Sequence, residues 1–114
     1  MIDINEVIKE LTSEDIKEIV CSLGGEDYIE REREIIFPTL CHHRHPEDGS
    51  HKLYYYKNSG LFVCYTCCGT FDIAGLMRRR FEVLEQDFNF FQDIVLPLAE
   101  KTGYKEKPKL SSFY

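Results

Sequence analysis

The chain has 114 residues, 43% of them apolar and 30% charged, which suits one small packed domain rather than a disordered or fibrous chain. Its formal net charge is −6, and no apolar run approaches the roughly 18 residues that a membrane-spanning helix needs. The opening MIDINEVIKE is acidic and lacks the apolar core of a signal peptide. A cytoplasmic location is therefore expected, where cysteines stay reduced or bind metal.

The charge is unevenly spread. Residues 1–36 carry eleven acids and four bases, residues 37–80 three acids and six bases, and residues 81–114 six acids and four bases. The middle third is a basic island in an acidic protein. Clustered Lys and Arg would help that island bind phosphate, whereas the whole molecule would be repelled.

A short helix carrying Val7, Ile8 and Leu11 is expected first. In TSEDIKEIVCSLGG, Ile16, Ile19, Val20 and Leu23 follow the i, i+3, i+4, i+7 spacing of a helical stripe. Thr12 or Ser13 can cap its start, Gly24 can end it, and Cys21 beside the stripe reads as a buried structural thiol. Glu26–Glu34 is dense in charge and suits a helix or a solvated connector. IIFPTL then leads to Cys41, with Pro38 interrupting regular structure.

KLYYYK and LFVCY flank Asn58-Ser59-Gly60, the pattern of a β-hairpin. Alternation puts Tyr54 and Tyr56 on one face, and Leu53 and Tyr55 on the other. Next, DIAGLMRRRFEVL has helical spacing in Ile73, Leu76, Met77 and Phe81, with Asp72 as cap. FNFFQDIVLPLAEKTG predicts a last helix with Phe88, Phe91, Val95 and Leu98 on one face and a kink at Pro97. KEKPKLSSFY reads as a tail. The expected fold is α+β: one domain of an acidic helical segment (1–36), a zinc ribbon with an antiparallel sheet (37–72), C-terminal helices (73–104) and a tail (105–114).

The chemistry sits between Cys41 and Gly69, which hold four of the five cysteines and all four histidines. Cys64-Tyr65-Thr66-Cys67 is a C-x₂-C pair at the end of a strand with Gly69 close behind, the tight turn from which zinc takes two thiolates. Cys41-x₃-His45 supplies the other half, with 18 residues before Cys64, a gap that holds one hairpin. Cys41, His45, Cys64 and Cys67 would close a structural tetrahedron around one zinc ion. Cys68 competes with Cys67 through a C-x₃-C-G reading, and His51 competes with His45. Cys41 and the adjacent His42 would have difficulty facing one ion. No H-x-E or H-E-x-x-H arrangement marks a catalytic metal, and a thioredoxin-type redox pair lacks its βαβ context. No nucleophile–base pair stands out, so an enzyme is not expected.

Cys41, His45, Lys52-Leu53-Tyr54, Phe62-Val63-Cys64-Tyr65-Thr66-Cys67-Cys68-Gly69 and Asp72-Ile73 together resemble the N-terminal zinc-binding domain of bacterial and phage DNA primases. The resemblance spans about residues 39–80. It implies a zinc ribbon without activity of its own that contacts single-stranded template. The same four ligands follow by position, with a nucleic-acid face of Lys52, Tyr54, Tyr56 and Phe62. Two departures stand out: Arg44 occupies the family's histidine position, so the first pair is Cys-x₃-His, and Cys68 intrudes before Gly69. The chain also leaves no room for a polymerase domain, so a complete primase is not expected.

Tyr54 and Tyr56 beside Lys52 and Lys57 could stack single-stranded bases, although half-buried strands favour tyrosine in any case. Arg78-Arg79-Arg80 could grip phosphate or simply suit the end of a helix. The leading expectation is a phage or mobile-element module that binds single-stranded nucleic acid or a replication protein, with no membrane or small-molecule substrate. The rival is an acidic inhibitor of a host nucleic-acid or defence enzyme, as an anti-CRISPR acting on a Cas effector would be, supported by the negative segment 1–36.

Overall fold

In the computed structural model, which describes residues 2–43 and 50–103, four α-helices flank a five-stranded antiparallel sheet. Two helices come first. Helix α1 (Ile4–Glu10) is capped by Asp3, whose carboxylate accepts from Asn5 N. Helix α2 (Ser13–Ser22) begins with a reciprocal capping box between Thr12 and Asp15, which satisfies two otherwise unpaired donors of its first turn. At its far end Gly24 adopts φ 109°, a conformation that side chains disfavour.

The sheet is a meander in the order β1 (Ile29–Glu30), β2 (Glu34–Phe37), β3 (Leu53–Tyr56), β4 (Leu61–Cys64), β5 (Gly69–Phe71). The β3–β4 hairpin matches the expectation, with Tyr56 opposite Leu61. The charged stretch before it is neither helix nor solvated connector. Ile29–Glu30 pairs with Ile35–Ile36, and Glu30 receives Lys17 Nζ at 2.7 Å and Lys57 Nζ at 2.9 Å. The two ammonium groups hold the Glu30 carboxyl below its ordinary range.

Strand register sorts the side chains into two faces. One face carries the rows Ile35–Tyr55–Phe62–Phe71 and Phe37–Leu53–Cys64. Phe37, Leu53 and Phe62 there have no exposed surface. Against this core lie Val7 of α1, Ile16 and Val20 of α2, and Ile73 and Leu76 of α3 (Ile73–Val83). The other face carries Ile36, Tyr54 and Val63 in one row, and Glu34, Tyr56 and Leu61 in the next. It stays open at Ile29 and Leu61.

The last helical stretch departs from a single regular helix. Phe90–Val95 winds as a π-helix and continues into α4 (Leu96–Thr102), with Pro97 in the first turn of α4. The wider turn breaks the 3.6-residue spacing before Ile94. Ile94 is buried in place of the expected Phe91, which is exposed, while Val95 and Leu98 point inward as the spacing predicts. Lys101 of α4 pairs with Glu18 of α2. The expected tail, 105–114, lies outside the described residues. No described helix is long and apolar enough to cross a membrane.

Candidate metal centre

Three parts of the chain meet at one end of the core layer. Strand β2 ends at Phe37, and the chain bends through Cys41 and His42. Thr39 N donating to Ser50 O at 3.0 Å anchors that exit. Strand β4 ends at Cys64 in register with Leu53 and Gly69, so its side chain points into the core. A turn then carries Cys68 back before β5. The donor atoms of Cys41, His42, Cys64 and Cys68 all lie within 4.8 Å of one another. These four residues are close enough to hold a metal ion.

The spacing fits zinc. His42 Nδ1 stands 3.4 Å from Cys41 Sγ, 3.7 Å from Cys64 Sγ and 3.4 Å from Cys68 Sγ. A tetrahedron with Zn–S bonds of about 2.3 Å and Zn–N bonds of about 2.0–2.1 Å has S···N edges of about 3.6 Å. The other ring nitrogen, His42 Nε2, is 3.2 Å from Thr66 Oγ1, and that hydroxyl is 3.1 Å from Cys64 Sγ. If Nε2–H donates to Thr66, Nδ1 keeps its lone pair towards the three sulfurs, and the hydroxyl proton is left for Cys64. Such an outer contact fixes the tautomer and orientation of a ligating histidine.

The electrostatics also suit a cation. Burial pushes the Cys41 thiol far above its ordinary range, with contacts to Cys68 and Cys64 adding to the shift. Burial pushes Cys68 up as well, to about 11, although its contact with Cys41 works the other way. Burial would raise Cys64 too. There the Thr66 hydroxyl and the backbone N–H groups of Cys67, Cys68 and Thr66 prevail, bringing that thiol down to about 6. One sulfur is thus prepared as a thiolate, and its neighbours resist ionising beside it. A divalent cation would supply the missing positive charge and let all three ligate.

The expected ligand set overlaps with this cluster only in part. Cys41 and Cys64 are in it, and Cys68 joins them where the C-x₂-C reading favoured Cys67. Cys67 is exposed, with its sulfur 3.8 Å from that of Cys68. His45 lies outside the described residues. His51 is turned away, its Nδ1 2.7 Å from Ser50 Oγ and its Nε2 against the Asp27 carbonyl. Adjacency to Cys41 counted against His42 in the sequence, but the backbone bends at both residues and both side chains reach the same centre. Cys21, the fifth cysteine, is half-buried, with its thiol donating to Gly25 O at 3.9 Å.

Of the expected nucleic-acid face, Tyr54 and Tyr56 share the open side of the sheet as alternation predicts. Phe62 does not join them. It pairs with Tyr55, faces the core and is fully buried. A third tyrosine takes its place: the ring of Tyr65, in the turn between Cys64 and Thr66, meets Tyr54 edge-on at 4.9 Å, and its hydroxyl bonds that of Tyr56. Tyr54 and Tyr56 stack at 6.3 Å. Lys57 is tied to Glu30, and Lys52 is half-buried.

The three arginines part company. Arg79 lies over the Phe71 ring at 4.5 Å, Arg80 Nε donates to Leu23 O at the end of α2, and Arg78 is exposed.

Seventy-nine residues of the chain, 68% of its length, are 40% identical to the SPbeta prophage-derived uncharacterized protein YorJ of Bacillus subtilis (strain 168). The chain spans 20% of the length of that relative. No protein-family model matches the chain. No solved structure matches it.

Proposed function

We propose that the chain is a non-catalytic zinc module of the primase type, carried by a phage or mobile element, that holds single-stranded nucleic acid on the open face of its sheet. The observation that carries this reading is the convergence of three thiols and one imidazole at the edge lengths of a zinc tetrahedron. Four protein donors complete the coordination shell and leave no position for a substrate, which is the form of a structural site. The prophage origin of a relative 40% identical over 79 residues supports the phage assignment.

The nucleic-acid part rests on the tyrosines. Tyr54, Tyr56 and Tyr65 form one aromatic cluster beside the metal-bearing turn. Stacking of a base on such a ring contributes roughly 1–3 kcal/mol whatever the base. With Lys57 engaged by Glu30 and the chain at −6, stacking outweighs phosphate contacts, so the salt dependence of binding should be shallow.

Fluorescence anisotropy of a labelled oligonucleotide, with zinc-loaded protein at low salt, tests the reading. Micromolar binding that Tyr54→Ala and Tyr56→Ala weaken supports it. Absence of strand binding, with capture of a nucleic-acid enzyme from host cells, supports the inhibitor reading instead. Exposed carboxylates at Glu6 and Glu10 of α1 favour that reading. Purified protein without stoichiometric zinc would remove the basis of both.

A further inference from the structure

A groove of about 570 Å³ runs between α1 and the tip of the β3–β4 hairpin, within the roughly 300–1,000 Å³ typical of small-molecule sites. Ile8, Leu11 and Leu61 contribute its apolar walls. Tyr55 also lines it, although this residue is only 4% exposed. Its hydroxyl has no hydrogen-bond partner among the described residues and is not closed off from solvent, so the ring is buried while its polar end stays available to the groove. Gly60, at φ 72°, stands beside that group, with the position of a Cβ 4.0 Å from the Tyr55 oxygen.

The rim supplies the remaining chemistry. The side-chain amides of Asn5 and Asn58 make no hydrogen bond among the described residues, and Lys9 has no acidic partner among them. Lys57 is held by Glu30, and Asp72 is used by Gly75 N at 2.8 Å as the cap of α3. The groove therefore offers apolar side chains, two amide groups able to pair with a base edge, a phenol hydroxyl and an ammonium without an acidic partner among the described residues, with the Asp72 carboxylate already engaged as a cap. An amide side chain can both donate and accept, which is how Asn recognises a base edge.

We propose that this groove binds a nucleoside monophosphate, with the base against Ile8, Leu11 and Leu61, its polar edge facing Asn5 and Asn58, and its phosphate at Lys9. The Tyr55 hydroxyl supplies a further hydrogen bond. The site is separate from the metal centre and does not use Tyr54, Tyr56 or Tyr65, so it stands or falls independently of the strand-binding face.

The experiment titrates the metal-loaded full chain with each of the four ribonucleoside monophosphates, the matching nucleosides and inorganic phosphate, by calorimetry and by amide chemical shifts. Saturable binding of at least one monophosphate is expected, with the largest shifts in α1 and at Asn58–Leu61. Tyr55→Phe, which removes only the hydroxyl, should weaken binding roughly 3- to 10-fold, the loss of one hydrogen bond. Lys9→Gln, at an exposed position that leaves the core intact, should weaken the monophosphate and leave the nucleoside unchanged. Affinity for an oligonucleotide that Tyr54→Ala disrupts should survive both variants. The proposal is overturned by absence of saturable binding up to millimolar nucleotide, by inorganic phosphate binding as tightly as the nucleotides, or by affinities that neither variant alters.

Discussion

Replacing Cys68 with serine is the sharpest perturbation of the metal centre, because the adjacent Cys67 is the competing thiol. The Cys68 sulfur is 3.4 Å from His42 Nδ1, close to the S···N edge of about 3.6 Å expected around zinc. Cys67 is exposed and outside the four-residue group. A structural zinc site contributes on the order of 10–16 kcal/mol of apparent free energy at neutral pH, so one donor of four carries on the order of 3 kcal/mol. That corresponds to roughly a hundredfold in affinity. Cys68→Ser should therefore lose zinc to a chromogenic chelator at concentrations roughly a hundredfold lower than the unmodified protein does. Its thermal midpoint should still rise with added zinc, but only at roughly hundredfold higher zinc concentration. Cys67→Ser removes an exposed thiol and should leave affinity within about a factor of three. If Cys67→Ser releases the metal while Cys68→Ser retains it, the assignment of the fourth ligand is refuted.

Thr66→Val cuts the contact that joins His42 Nε2 to the Cys64 sulfur, and the same chelator titration should show zinc affinity falling roughly 10-fold or more; an unchanged value would mean that Thr66 orients neither ligand. The bond from Tyr65 holds the Tyr56 phenol up at about 12. Because the folded value lies above the unfolded one, this contact stabilises the fold below about pH 10 and is lost as pH rises through about 12. Tyr65→Phe should bring one late phenol titration, followed by ultraviolet absorbance, back towards its ordinary range; a persistent late phenol would contradict the pairing. Phe37→Ala, at a fully buried position against Phe62 and Tyr28, should cost about 3–5 kcal/mol in urea unfolding, and a loss below about 1 kcal/mol would show that the core collapses into the space.

Local signals carried much of the fold. Thr12 with Asp15, Asp72 before Ile73, and Asn58-Ser59-Gly60 between two β-rich runs each act within a few residues, and each marks an observed boundary. The strands that escaped notice are held from outside themselves. Ile29–Glu30 and Gly69–Phe71 are too short to show alternation, and they exist because β2 and β4 offer them an edge to pair with; Glu34–Phe37, also unforeseen, is buried at three successive positions and shows no alternation either. Phe91 was misplaced because a π-helical turn leaves no mark in a pattern counted at 3.6 residues. At the metal centre the residue types were plain, but choosing Cys68 over Cys67 and recognising His42 depended on the path of two turns. The groove was invisible in the sequence, since α1 and the hairpin tip lie some fifty residues apart along the chain.

Every strand in the sheet pairs with its neighbour in sequence, and this has a kinetic meaning. Each hairpin closes over a short stretch of chain, so its loop entropy is small, and the logarithmic cost of closure grows only slowly with the longer connection from β2 to β3. The most distant contacts along the chain are those of α4, which packs against α1 and whose Lys101 reaches Glu18 of α2. That contact joins the two ends of the described chain and draws on almost its whole length. The topology is thus a local ladder of strands onto which the helices dock through contacts of long sequence separation, the kind whose loop closure costs most.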